Sequence, residues 1–157
     1  MSMVIGQRRN PDLAAFFHAV RPPFLVLTAI TCLVGFATAA AQGVVLQSGY
    51  AAATLFLAVI AHAAANVWND CGDACIGTDA INTNRIEPFT GGSRVIQNGD
   101  LTEADMRRFA LGLATVSILG GLALVVLRGP GLLLLGVGGA FFGWAYSQPT
   151  LALMSRG

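Results

Sequence analysis

The stretch Asn66–Asp79, NVWNDCGDACIGTD, closes a long apolar run with three aspartates and two asparagines. These residues offer hard oxygen ligands. Cys71 and Cys75 lie among them, but no further soft ligands stand at zinc spacing, and the three cysteines of the chain read as structural. On a helix, residues three, four and seven apart share a face. His62, Asn66, Asn69, Asp70 and Asp73 meet that spacing and predict one polar stripe. On a membrane helix such a stripe must face protein or a water-filled cavity, since facing lipid costs several kcal/mol. Side chains that cap a helix end and face water would explain any one of these residues, but five in register fit that reading poorly. His62 has a second reading, a single hydrogen bond to a neighbouring helix.

Clustered carboxylates at the mouth of an apolar cavity stay ionised only with a cation among them. Asp and Asn oxygens suit Mg²⁺, which takes one or two protein carboxylates and completes its shell with water and substrate phosphates. Gly77 can end the helix in a left-handed cap, which turns Asp79 back towards the same cavity. Further on, RIEPFTGGSR, Arg85–Arg94, joins two arginines to a Gly-Gly-Ser turn. Arginine forks match phosphate oxygens, and glycines let backbone N–H groups converge on an anion. Carboxylates and arginines together point to a magnesium-bridged diphosphate.

The elements that must position these groups are membrane helices. Of the 157 residues, 55% are hydrophobic and only 11% charged. A soluble domain carries about a quarter charged residues. Apolar runs over Pro22–Ala41, Gly49–Trp68, Phe109–Leu127 and Pro130–Tyr146 predict four transmembrane helices, placed at 22–41, 49–70, 107–127 and 130–147. The whole chain, 1–157, reads as one all-α membrane domain with an interfacial segment over 1–21 and a polar loop over 71–106. Eight of the nine basic residues, all arginine, fall on one side of that topology, and Arg128 alone falls on the other. The positive-inside rule then places both termini and the 71–106 loop in the cytoplasm, with the chain in the cell (inner) membrane. Before the first span, Leu13, Phe16, Phe17 and Val20 have helical spacing and predict an interfacial helix, with His18 at the interface. Thr102 and Asp105 form a capping-box pattern that opens the third span, with Arg107 and Arg108 as headgroup anchors.

In order along the chain, these residues resemble a known family. NDCGDACIGTD resembles the first aspartate-rich motif of the UbiA-type membrane prenyltransferases. NRIEPFTGGSRVIQNGDLT resembles the following stretch in the menaquinone-type branch, the 1,4-dihydroxy-2-naphthoate prenyltransferases and their relatives. RPP at Arg21 resembles the family's Arg-Pro at the start of helix one, and YSQP, Tyr146–Pro149, its motif after helix four.

The resemblance implies an all-helical membrane bundle that transfers a polyprenyl group from its diphosphate to an aromatic acceptor such as a quinone precursor, with Mg²⁺ as cofactor. By position it implies that Asp70 and Asp73 are catalytic and that Asn66, Asp70, Asp73 and Asp79 hold the metal. Arg21, Arg85, Ser93, Arg94 and Tyr146 would then serve the diphosphate, with Asn69 and His62 adjoining. The implied partners are the polyprenyl diphosphate, the aromatic acceptor and the bilayer, with no nucleic acid. The family fold has about nine helices and a second aspartate-rich motif, so the chain resembles the N-terminal half of a UbiA-like fold. On that reading it is expected to be inactive alone and to partner a missing C-terminal half.

Two other classes compete. A phosphatidyl-group transferase needs an Ala-Arg after its Asp-Gly, which does not follow here. A non-catalytic small membrane protein or assembly subunit would use the acidic stripe to bind a cation, but it has no use for an arginine-rich anion clamp.

Overall fold

The structure, a computed structural model, describes residues 12–76 and 91–147. Every regular element among them is a helix, as the composition predicts. The first helix, α1 (Leu13–Ala19), is the short interfacial helix expected from the apolar spacing, and the Asp12 side chain caps it by accepting from the Ala14 N–H at 3.2 Å. Its inner face buries Ala19 and sets Phe16 edge-on to Phe109 at 4.9 Å between ring centroids. Leu13 and Phe17 lie exposed on the outer face.

Three helices are long and apolar enough to cross a membrane: α2 (Pro22–Ala41), α3 (Ser48–Ile76) and α4 (Glu103–Arg128). The fourth expected span, α5 (Gly131–Ser147), is an apolar helix of 17 residues. At 1.5 Å per residue it reaches roughly 26 Å, just under the hydrocarbon thickness. Large apolar side chains along α2, α4 and α5 are exposed, as lipid-facing residues must be. Three hydroxyls that sit among them bond back to their own helix: Thr31 to the Leu27 carbonyl at 2.8 Å, Thr38 to Val34 at 2.9 Å and Thr115 to Leu111 at 2.8 Å.

Two helices run past the membrane spans placed by hydropathy. The helix that carries the span placed at 49–70 continues to Ile76, so Asp73 lies on α3 as the polar stripe requires, and the segment placed as a loop over 71–106 is helical over its first six residues. The single glycine in CGDACI does not break it, and Cys75 ties its end to Glu103 at the start of α4 (3.0 Å). The 29 residues of α3 span roughly 43 Å, longer than the bilayer core, so the polar last turns stand at or beyond its edge. The span placed at 107–127 lies on a helix that begins at Glu103, where Thr102 and Asp105 complete the capping box expected to open it. Residue 107 marks where the apolar run nears, not where the helix starts.

The central helix is α3, which packs on α1, α2, α4 and α5. Its contact with α4 is close. A Cβ on Gly120 would meet Leu57 Cδ2 at 2.4 Å, and the Ser117 hydroxyl donates to the Leu57 carbonyl at 3.4 Å. At the Tyr50 and Arg128 end, α3 and α4 border an open apolar groove that holds none of the predicted site residues. The buried core sits at the other end. There Ala19, Val67, Cys71, Met106 and Ala110 pack against Val95 and Leu101 from the 91–101 segment. That segment crosses beneath the ends of α1, α3 and α4 and is pinned there by its two buried aliphatic residues.

Candidate functional site

The core end of α3 brings together groups far apart in sequence. Asp70 is only 3% exposed. Its Oδ2 accepts two hydrogen bonds from one residue, the Ser93 N–H at 3.0 Å and the Ser93 hydroxyl. Its Oδ1 is buried, and among the described residues nothing hydrogen-bonds it. Among the described residues the cation paired with it is Arg21, whose Nη1 lies 4.0 Å from that oxygen, too long for a hydrogen bond. The Nε of Arg21 is also buried without an acceptor. A buried acceptor and a buried donor thus stand side by side, each short of its partner. Buried polar atoms are nearly always satisfied, and the pair has room in its bonding for a ligand that carries both signs of charge.

Arg21 links α1 and α2 in a left-handed conformation (φ 55°). A residue before proline favours extended backbone, and this conformation costs a non-glycine residue about 1–2 kcal/mol. Contacts hold it there: the guanidinium carbon lies 5.2 Å from the Phe24 ring centroid, and Asp70 lies beside it. One turn back along α3, Asn66 donates to the Val20 carbonyl at 2.9 Å, satisfying an acceptor left over at the end of α1. One turn further, the His62 Nδ1 meets the Thr28 hydroxyl at 2.6 Å, so the interhelical reading of His62 is the geometry observed. The row His62, Asn66, Asp70 therefore faces the α1–α2 junction. Asn69 and Asp73 share the same side of the helix and bond each other at 2.9 Å.

Backbone conformation shapes the loop. Gly91 (φ 80°), Gly92 (φ 67°) and Arg94 (φ 58°) all take left-handed φ, with Ser93 buried between them. The two glycines adopt this without strain, and Arg94 accepts it as its carbonyl caps the next turn by accepting from the Asn98 N–H at 2.8 Å. Tyr146 lies near the end of α5, 51% exposed, and no described hydrogen bond joins it to Asp70 or Arg21. Asp79 and Arg85 lie outside the described residues, as does Gly77.

Several participants were not read from sequence. The Val20 carbonyl and the Thr28 hydroxyl are visible only once α1 and α2 are placed. His18 lies within electrostatic reach of Asp70. Arg107 donates to Glu103 at 2.5 Å and to Cys75 at 3.4 Å, so this expected headgroup anchor also ties α4 to the end of α3. The Glu103–Arg107 spacing of four was a legible signal; its link to Cys75 was not.

Among the described residues, no group of three or more His, Cys, Asp or Glu side chains is gathered for a metal. Mg²⁺ does not need one. One free carboxylate oxygen at Asp70, with Asp73 one turn on, fits an ion that takes one or two protein carboxylates and fills the rest of its shell from phosphate and water.

Comparison with curated proteins gives no match for the chain, and comparison with solved structures gives none either. The model of the UbiA prenyltransferase family matches residues 28–156, which takes in Asp70, Asp73 and the Ser93 loop. With most of its length covered by that match, the chain belongs to the UbiA prenyltransferase family.

Proposed function

We propose that the chain serves the Mg²⁺-dependent transfer of a polyprenyl group from its diphosphate to an aromatic acceptor, a quinone precursor of the menaquinone type. The reaction class rests on the family, and the acceptor rests on the resemblance of the PFTGGS segment. One observation carries the site: Asp70 Oδ1 and Arg21 Nε are both buried, adjacent and without hydrogen-bond partners. A metal-bound diphosphate supplies the cation that Asp70 lacks and the oxygen that Arg21 lacks.

In this reading Asp70 and Asp73 would hold the metal, which supplies Lewis-acid stabilisation to the departing diphosphate. Arg21 donates to a diphosphate oxygen from a guanidinium held in place by Phe24, adding charge stabilisation where the negative charge develops. Asn66 spends its amide N–H on the Val20 carbonyl, which leaves its Oδ1 for the metal, while His62 is bonded to Thr28 of α2 and sets the wall of the site. The allylic C–O bond breaks with its electron pair on the diphosphate. The ring's π electrons then close the new C–C bond, and the ring proton passes to the released diphosphate, which restores aromaticity. The apolar flanks of α2 and α3 bed the isoprenoid tail, favourable by about 0.8 kcal/mol per buried CH₂. The arginine distribution supports a cytoplasmic site. A pure cation-binding role fits less well, because Arg21 stands where it would repel a bare cation.

The test is binding of geranyl diphosphate to the purified chain in lipid nanodiscs. Binding is expected with Mg²⁺, lost on chelation, and weakened at least about tenfold by Arg21→Ala, the worth of one charged hydrogen bond. Equal binding with and without Mg²⁺, or full binding by Asp70→Asn, sinks the assignment.

A further inference from the structure

A carboxylate oxygen offers two lone-pair sites. In Asp70, Oδ2 spends both on Ser93, one on its backbone N–H and one on its hydroxyl. Oδ1 alone remains. Water does not compete for Oδ2, because Asp70 and Ser93 are only 3% and 6% exposed. Nor can the pair slide easily. Ser93 is flanked by left-handed backbone at Gly92 and Arg94, and the segment is anchored directly behind it by buried Val95 and Leu101. On the α3 side, Val67 and Cys71 are buried in the same cluster, which fixes the turn that carries Asp70.

A carboxylate held this way can give a metal one oxygen but cannot chelate it with two. The distinction matters between the two common hard divalent cations. Ca²⁺ takes six to eight oxygens at longer distance in flexible geometry and readily accepts two-oxygen carboxylates. Mg²⁺ demands near-octahedral geometry at about 2.0–2.1 Å, which single-oxygen ligands satisfy. Resting on the metal reading above, we propose that Ser93 is a positioning residue: by occupying Oδ2 it makes Asp70 a one-oxygen ligand and sets the site's preference for Mg²⁺ over Ca²⁺. This differs from the diphosphate contact expected from sequence, since the Ser93 hydroxyl acts through Asp70.

The experiment uses Mn²⁺ as a paramagnetic probe on the full chain in nanodiscs with geranyl diphosphate, displaced by Mg²⁺ or by Ca²⁺. The wild type should release Mn²⁺ at lower Mg²⁺ than Ca²⁺ concentration. Ser93→Ala frees one lone pair of Oδ2, and the Mg²⁺/Ca²⁺ preference should fall by about tenfold, the scale of one hydrogen bond to a charged group. Ser93→Gly should do the same and serves as the second variant if the alanine variant folds poorly. Ser93→Thr keeps the hydroxyl and should keep the wild-type ratio. A residue that merely supported the fold would weaken both metals alike. An unchanged ratio in folded, Mn²⁺-binding Ser93→Ala or Ser93→Gly overturns the proposal and leaves the metal reading standing. A folded wild type that binds no Mn²⁺ removes the metal reading itself, and the proposal with it.

Discussion

Asp70→Ala tests whether one carboxylate both serves the site and locks the loop. The substitution leaves the Ser93 N–H and hydroxyl without an acceptor in a buried place and leaves Arg21 without its neighbouring charge. Each buried donor deprived of its partner costs about 1–3 kcal/mol. The Arg21 term is smaller, because 4.0 Å is a long ion pair and its side chain keeps 16% exposure. Closing the 91–101 segment should therefore weaken by about 2–5 kcal/mol. Each 1.4 kcal/mol is tenfold in an equilibrium constant, so the opened form should rise by roughly 30-fold or more. Limited trypsin digestion reads this directly. The chain has no lysine, Arg94 lies within the segment, and Arg128 at the far end of α4 serves as an internal control. Cleavage after Arg94 should accelerate in Asp70→Ala, with cleavage after Arg128 unchanged. Asp70→Asn keeps a neutral acceptor for Ser93 and should fall between, at about 1–2 kcal/mol. If Asp70→Ala is cut after Arg94 no faster than the wild type, Asp70 does not hold the loop and the geometric argument is wrong.

Two packing predictions follow from the same structure. Gly120→Ala places a methyl 2.4 Å from Leu57 Cδ2, so it should lower thermal stability in detergent by about 1–3 kcal/mol, and adding Leu57→Ala should recover part of that loss. Met106 is fully buried where α4 meets the 91–101 segment, and Met106→Ala should cost about 2–5 kcal/mol by thermal unfolding while Leu119→Ala on the exposed face of α4 costs far less.

Much of the fold was legible because a bilayer imposes a simple rule. Backbone groups must bond within the segment, and about twenty apolar residues must follow one another. That rule locates α2, α3 and α4, and the capping box at Thr102 marks where α4 begins. It does not locate the end of α3, because hydropathy reports where lipid ends and not where a helix ends; there the stripe through Asp73 carries the helix past residue 70. Cys71–Ile76 stay helical in an interface that apolar periodicity does not describe.

Within the site, a helical period set in the sequence alone puts His62, Asn66 and Asp70 on one face of α3. What each of them does was decided by partners 34, 46 and 23 residues away: Thr28 for His62, the Val20 carbonyl for Asn66, Ser93 for Asp70. Local spacing cannot choose among such partners. They are set by how α2 leaves the left-handed turn at Arg21 and how Val95 and Leu101 pin the loop beneath α3. The sequence by itself therefore determined a membrane helix ending in carboxylates beside a basic, glycine-rich loop. Only the tertiary structure decided that one oxygen of Asp70 is spent on Ser93 and the other is left beside Arg21, because hydrogen-bond pairing across a fold depends on where helices cross and not on the order of their residues.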